Sequence, residues 1–367
     1  MNTVFSATRL GSSLPVCLLM ILVALAMGSG GCRQKDSAPA AMASGSSSPP
    51  PGPTLRFIHD WYPEPEHGGY YAALLKGLWK EQGITVEVLV GGPNSEIEKR
   101  VALDPYGLGI VRGDAVFIAA EHGLPVIAVN AYFQHDPQGV MVRADSSIHS
   151  FADLDDRDVA MQVGAPWLTY LQKKYSLAKL RVRPVTGSVA NFVKDPNWIT
   201  QAYPTCEPYY AAREGVPARV LQISESGFDP YRVIIANKEL VSKHPELVAK
   251  FSRGAYLGWK EYFRDPQPIH DHILKISPVM EMGGMRFSYV KMRELHLVEG
   301  NAAKGEHLGA LDRTRWEGLA RILLDLRVIQ KPIPISEVVT FDFSSDALGM
   351  NGTLPDPVWT EAPIPGR

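Results

Sequence analysis

The stretch HDWYPEPEHGGYYAALLKGLWKEQG, His59 to Gly83, gathers Asp60, Trp61, Tyr62, His67, Tyr70 and Tyr71 around the mouth of one helix. Three chemistries suit these residue types. An acid beside a histidine can move protons. Aromatic walls with an aimed carboxylate can hold a flat polar molecule. The same side chains can also simply pack. Pro63 and Pro65 stiffen the loop, and Gly68 and Gly69 leave room for close approach.

Comparable short motifs recur where strands are expected to end: Gly91-Gly92, Gly113-Asp114, GAPW (Gly164 to Trp167), YPTCEP (Tyr203 to Pro208) and SGFDPY (Ser226 to Tyr231). Glycines admit backbone N–H groups to a ligand, aromatics give apolar walls, and acids accept hydrogen bonds. The chain has no G-x-G-x-x-G after a strand, no phosphate loop, no H-E-x-x-H and no G-x-S-x-G. His270 and His272 could hold a metal as a pair, but no third ligand is apparent, so no metal or other cofactor is expected.

The elements that must position these loops alternate. LRFIHDW reads as a strand, GGYYAALLKGLWKEQG as one helix with Tyr71, Leu74, Leu75, Leu78 and Trp79 on a face and Gly83 at its end. ITVEVLV is the next strand. SEIE has capping-box spacing, and Asp114 is placed to cap AVFIAAEHG. LGIV and PVIAVNAYF continue the first series. DVAMQV, LRVRPVT, WITQA and ARVLQIS form a second series with their helices, and YRVIIANKEL reads as a return strand. A long helix starts near Pro245 and stops at Asp265-Pro266, and LDRTRWEGLARILLDLRVI forms another. This alternation predicts an α/β fold with largely parallel sheets and ligand chemistry at strand C-termini. The proline-rich tail after Lys331 is expected to wrap the surface.

At 367 residues the chain has length for two or three domain-sized units. It is 45% hydrophobic and 21% charged with a formal net charge of -2, so nothing in it calls for nucleic acid. Arg9, the apolar run Val16 to Met27 and the small residues before Cys32 read as an export signal, since a membrane span takes ~20 apolar residues. The cysteine in that position resembles a bacterial lipoprotein signal, with cleavage before Cys32 and lipidation of its sulfur, although Ser29 stands where such signals usually carry Leu. The alternative is a plain secreted protein. Arg33 to Pro53 is a Ser/Ala/Pro/Gly linker. Cys206 is then the one cysteine of the body, which excludes a disulfide framework.

The body also resembles the solute-binding proteins of bacterial ABC importers, in the branch related to thiamine-pyrimidine synthases. The resemblance rests on DWYPEPEHGGYYAALLKGLWKEQGITVEVLVGG, FQHDPQGVMV, SFADLDDRDVAMQVGAPWLTYLQKKY, CEPYYAAREGVPARVLQISESGFDPY and IIANKELVSKHPELVAKFSRGAYLGW, in that order. It implies a two-lobed type II periplasmic-binding-protein fold with two crossings between lobes. The expected division is a signal peptide at 1–31, a linker at 32–53, a first lobe at 54–143 and 233–330, a second lobe at 144–232 and a tail at 331–367. The implied partners are a small pyrimidine-like ligand, permease subunits and a membrane held through the lipid, with the chain itself a monomer and not an enzyme.

The resemblance also implies a ligand site. Asp60, Trp61, His67 and Tyr70 match the first pocket motif, Gly113 and Asp114 the second loop, Trp167 the second-lobe aromatic, Glu207 the acid of the EP pair, and Asp229 and Tyr231 the crossing. Trp61 and Trp167 would sandwich an aminopyrimidine while Asp60 and Glu207 take its N–H donors. Each residue has a plainer reading beside this one. Either Trp can be core, Asp60 can cap a turn, His67 can bond to backbone, Asp114 can cap its helix, and Glu207 can serve its helix dipole. Tyr70 and Tyr71 are adjacent on the helix, so only one is expected to face the cleft, and Cys206 reads as an inert thiol. Related binders take sulfonates, nitrate or riboflavin-like ligands, but three acids at strand ends favour a ligand rich in donors. Synthases of this fold carry a cysteine-rich iron motif, which a single body cysteine does not supply.

Overall fold

A computed structural model describes residues 52–350 and 352–363. The expected signal segment and Cys32 lie outside the described residues, as does most of the linker. The strands fall into two five-stranded sheets. The first, in spatial order β2-β1-β3-β10-β4, consists of β1 (Thr54–Ile58), β2 (Thr85–Leu89), β3 (Gly107–Arg112), β4 (Val126–Phe133) and β10 (Arg232–Asn237). The second, in order β7-β6-β8-β5-β9, consists of β5 (Gly139–Arg143), β6 (Asp158–Ala160), β7 (Arg181–Arg183), β8 (Ile199–Ala202) and β9 (Ala218–Gln222).

The sheets are less parallel than the alternation of elements suggests. β1 runs parallel to β2 and β3, and β6 parallel to β7 and β8. β10 is antiparallel to both β3 and β4, and β5 is antiparallel to both β8 and β9. The cause is the pair of crossings. The chain leaves the first sheet after β4, passes 134–138 and enters the second sheet as β5. It leaves after β9, passes 223–231 and returns as β10. A strand that arrives from the other lobe enters at the cleft end and runs against strands that finish there. β5, expected in the first lobe, therefore belongs to the second sheet.

Helices cover the sheets. The long helix Pro245–Arg264 packs on Gly68–Leu75, and small residues set the contact. A Cβ on Gly69 would lie 2.3 Å from the Trp259 ring, and one on Gly258 would lie 2.1 Å from the Gly69 carbonyl oxygen. Gly68 and Gly69 thus make room for a helix, not for a ligand. The expected single helix of this region is two, Gly68–Leu75 and Leu78–Glu81, broken at Gly77, whose φ of 72° is left-handed. Its buried face is Tyr70, Tyr71, Ala72, Ala73 and Trp79, while Leu74 and Leu75 are exposed. Gly83 does end the second helix, also at positive φ.

Two expected caps are absent. Ser95 donates to the Gly92 carbonyl instead of capping, and Glu96 holds the cap position of Ile97–Leu103. Gly113–Glu121 begins one residue before Asp114, whose carboxylate is engaged by Arg112. The His270–His272 segment lies on a helix, Gln267–Ile276, rather than in a polar connection, and His270 is buried against the Tyr262 hydroxyl at 2.9 Å. A further helix, Met282–Glu294, was not apparent in the sequence. The tail does more than wrap: Thr340 donates its N–H to the Ala128 carbonyl of β4, and Val338 and Val339 are buried. Among the described residues no helix is long and apolar enough to cross a membrane.

Candidate functional site

The C-terminal ends of β1, β3 and β4 meet the crossings and the end of β8 in a polar cluster. Asp60, two residues beyond β1, is its centre. One carboxylate oxygen meets His67 Nε2 at 2.9 Å, and the other receives the Arg232 guanidinium. Arg232 opens β10, so the first strand of the sheet is tied to the strand returning from the other lobe. Its guanidinium also lies 3.9 Å from Asp136 and 6.0 Å from the centre of the Tyr203 ring, which follows β8. Burial draws Arg232 down to about 10.

Arg112, at the end of β3, binds Asp114 through two parallel contacts of 3.0 and 2.8 Å. Asp136, in the first crossing, is buried, and burial pushes its carboxyl up to about 7, with Arg112 opposing and Asp114 and Asp229 adding to the rise. Glu207 begins the helix Glu207–Arg213 and accepts the Tyr203 N–H at 2.8 Å. Burial pushes it to about 7 as well, because two backbone bonds offset the loss of water only in part. Glu64 is raised well above the usual carboxylate range by burial, then by Glu66 and Glu207. Carboxylates outnumber arginines here, and burial draws the excess acids Glu64, Asp136 and Glu207 toward their neutral form.

His67 is buried at the start of the helix Gly68–Leu75 and stacks on His59, with ring centres 4.3 Å apart. Burial holds His67 down at about 4 and His59 well below its ordinary value, so both rings are neutral near pH 7. Both His59 nitrogens have no hydrogen-bond partner in the protein. Gly91 allows the loop after β2 to close on this point, since a Cβ there would meet the His59 carbonyl oxygen at 1.9 Å.

The other expected site residues are placed as follows. Trp61 is 39% exposed beside Tyr62 at the rim. Trp167 is 0% exposed within the core shared with Leu168 and Leu171. The expected sandwich of Trp61 and Trp167 is therefore not formed, because Trp167 has no free face. Tyr70 and Tyr71 are both buried. Tyr70 packs edge-on against Phe57, Tyr132 and Trp259. Gly113 donates its N–H to the Tyr231 carbonyl at 2.8 Å.

Asp229 and Tyr231 belong to the joint between the crossings. Asp229 receives His135 at 2.7 Å, the Asp136 N–H at 3.1 Å and Arg315 at 3.0 Å. The Tyr231 hydroxyl accepts the Asp312 N–H at 3.1 Å, and Arg315 lies 3.9 Å from its ring centre. Their bonding capacity is taken up by the protein. Cys206 is half-buried, and burial raises its thiol well above the usual range, with Glu207, Glu66 and Glu64 adding to the rise.

Sequence reasoning missed Arg112, Asp136 and Arg232, which organise the cluster, and His59 and Glu64 beside it. Arg232 was legible as the one cation opening the apolar run RVIIAN, a placement that makes sense only if a carboxylate waits there.

The sequence is 25% identical over 109 residues to a putative thiamine biosynthesis protein of Haemophilus influenzae, covering 30% of this chain and 35% of that protein. It is 22% identical over 304 residues to the 4-amino-5-hydroxymethyl-2-methylpyrimidine phosphate synthase of Legionella pneumophila, covering 80% of this chain and 92% of that one. It is 23% identical over 234 residues to the formylaminopyrimidine-binding protein of Halalkalibacterium halodurans, covering 58% and 67%. The fold matches the alkanesulfonate-binding protein SsuA from Xanthomonas axonopodis pv. citri with a TM-score of 0.59, at 12% identity over 80% of this chain and 99% of that one. The two-lobed periplasmic-binding-protein architecture is thus shared with that protein. The family described as NMT1/THI5 like matches residues 64–269, more than half of the sequence and most of both sheets, and this chain belongs to it.

Proposed function

We propose that this chain is the extracytoplasmic, substrate-capturing subunit of an ABC importer and that its ligand is a small heteroaromatic rich in N–H donors, such as an aminopyrimidine. The observation that carries the reading is the acid-rich cluster at the junction of the two sheets, where Arg232 meets Asp60 and Asp136, Arg112 meets Asp114, and Glu207 has no arginine partner among the described residues. A donor-rich ring would supply the hydrogen bond that Asp136 Oδ1 lacks and add to that of the half-buried Glu207, each contributing roughly 1.5–3 kcal/mol when the acceptor is charged. An oxyanion would add to the negative charge instead. The relative named as a formylaminopyrimidine-binding protein supports the ligand class. The export signal and Cys32 support delivery to a membrane surface as a lipid-anchored subunit.

Isothermal titration with 4-amino-5-hydroxymethyl-2-methylpyrimidine, its formylated relative and an alkanesulfonate tests the ligand class. Saturable binding of a pyrimidine is expected. Binding of the sulfonate alone sinks the aminopyrimidine reading and leaves a solute-binding protein for an anion.

A synthase is the second reading, favoured by the Legionella relative and by a histidine, His67, beside a carboxylate. Single-turnover loss of a histidine, read by mass spectrometry after incubation with pyridoxal phosphate and iron, would establish it. An unchanged mass removes it.

A further inference from the structure

The helix Met282–Glu294 touches both walls of the cleft. Its Ser288 donates to Glu66, in the loop after β1, at 2.7 Å, and its Phe287 ring lies 5.6 Å from that of Tyr209 on the second lobe. Just before it, Met280 meets Tyr210 at 3.9 Å and Glu281 meets Arg213 at 2.8 Å. The end that makes these contacts is built weakly. Gly283 and Gly284 sit in its first turn, and no side chain caps it at Glu281. Larger residues do not fit there. A Cβ on Gly283 would lie 2.1 Å from the Tyr209 hydroxyl, and one on Gly284 2.8 Å from that of Tyr210. Helix propensity alone does not hold such an end in place.

The C-terminal segment supplies a hold. From 341 to 363 the described chain forms no helix or strand, so contacts with other elements keep it in position. The Tyr256 hydroxyl donates to the Phe343 carbonyl at 2.8 Å, Ser345 donates its N–H to the Gly309 carbonyl at 3.1 Å, and His307 Nε2 meets Asp346 at 2.9 Å. Phe343 and Leu354 are buried in the first-lobe core. The segment then reaches the helix Met282–Glu294. Val358 donates its N–H to the Tyr289 hydroxyl at 3.0 Å, and that hydroxyl donates in turn to the Phe263 carbonyl of the long helix at 2.8 Å. The Trp359 ring centre lies 5.1 Å from that of Tyr289, 5.2 Å from that of His270 and 5.0 Å from the Arg286 guanidinium. Arg286 and Tyr289 are three residues apart and share a helix face. Phe287 and Ser288, which reach the two cleft walls, lie between them in the chain.

We propose that Leu354–Ala362 is a brace for the helix Met282–Glu294 and that Trp359 is its positioning residue. By fixing Arg286 and Tyr289, Trp359 sets where Phe287 meets the second lobe and where Ser288 meets the loop after β1. The tail thereby acts on the helix Glu207–Arg213, with which Leu354–Ala362 makes no hydrogen bond, ion pair or ring contact among the described residues. A tail that only filled surface would leave that helix indifferent to Trp359. The brace serves any ligand of the cleft.

Hydrogen–deuterium exchange of the ligand-free, full-length chain, read by mass spectrometry, tests this without reference to what the cleft binds. Trp359→Ala is expected to speed exchange roughly tenfold in 285–290 and in the second-lobe helix Glu207–Arg213, with the helix Pro166–Lys174 of the same lobe unchanged. Trp359→Phe, which keeps an aromatic ring, is expected to restore most of the protection. Should Trp359→Ala fail to fold, Arg286→Ala removes the exposed partner of the ring and is expected to give the same pattern at roughly threefold. Faster exchange confined to 267–276 and 289–294, the helix segments that Trp359 touches, shows local packing only and overturns the proposal. So does an equal rise in Pro166–Lys174, unchanged exchange in Glu207–Arg213, or failure of Trp359→Phe to rescue.

Discussion

At the scale of single residues, the site is governed by buried ionisable groups, of which Asp60, Asp114, Arg112 and Arg232 are paired and Asp136 and Glu207 are pushed toward neutrality. Removing Asp60 would leave Arg232 buried without its closest counter-charge. Asp60→Ala should therefore lose ~3–5 kcal/mol of stability, measured by urea unfolding. A loss under ~1 kcal/mol would mean that Asp136 takes over the pairing. The titrating groups pull stability in opposite directions. His67 is held at about 4 and His270 at about 3 by burial, below their ordinary value of 6.5. Their contribution is complete above 6.5 and is lost as pH falls through the folded values. Glu207 and Asp136 are raised to about 7 by burial, from 4.5 and 3.8. Their contribution is present below those ordinary values and is lost as pH rises through 7. The ligand-free protein should thus lose this contribution between about pH 4 and pH 7 and level off above it. Glu207→Gln, which has nothing to ionise, should gain on the parent between about pH 5 and pH 7 and level off beyond it. Thermal unfolding across that range reads the difference, and parallel curves for the two proteins would show that Glu207 is not the group responsible.

At the scale of elements, glycine placement decides how the first lobe packs. Gly69→Ala would drive a methyl group into the Trp259 ring. It should cost ~1–3 kcal/mol by overpacking, read as a lowered urea midpoint with unchanged slope. No loss would mean that Trp259 can shift and that the helix contact is looser than it looks. The same pair shows what the sequence carried and what it did not. The strands were legible because apolar runs such as LGIV and PVIAVNAYF are bounded by turns, and the long helix because Pro245 and Asp265-Pro266 mark its ends. The direction of β5 and β10 was not legible, since periodicity reports burial and not the end from which a strand enters its sheet. Gly68-Gly69 looked like a ligand approach because the partner that needs the space, Trp259, lies nearly two hundred residues away. The candidate site divides in the same way. Asp60 and Glu207 reach the cluster from motifs at strand ends. Trp167 is buried, because an aromatic in a strand-end loop serves a core as readily as a cleft. Arg112 and Arg232 were passed over inside strands.

At the scale of the whole molecule, two devices join the lobes. The first is the joint of the crossings, where Asp229 ties His135 of the first crossing to Arg315, and Glu306 closes the group through His135 at 3.1 Å. The second lies across the cleft from it in chemistry, between Met280–Phe287 and the helix Glu207–Arg213. Arg213 pairs with Glu281 at 2.8 Å, Tyr210 reaches the Met280 sulfur at 3.9 Å, and the Tyr209 hydroxyl sits 2.1 Å from where a Gly283 Cβ would be. The joint ties crossing residues His135 and Asp229 to Arg315 and Glu306. The cleft contact is made by side chains of separate elements and exists only when the lobes are together. The exposed ion pair contributes little to it, ~1 kcal/mol or less, so the fit of Tyr209 over Gly283 is the larger part of this contact. Gly283→Val should therefore hold the lobes apart. Ligand association should change little, dissociation should quicken roughly tenfold, and the unfolding temperature of the ligand-free protein should stay near that of the parent. Stopped-flow binding with 4-amino-5-hydroxymethyl-2-methylpyrimidine separates the two rates, and small-angle scattering reads the radius of gyration with and without it. An unchanged dissociation rate with full compaction would show that Tyr209 gives way, and that the cluster around Asp60 and Arg232 closes the molecule by itself.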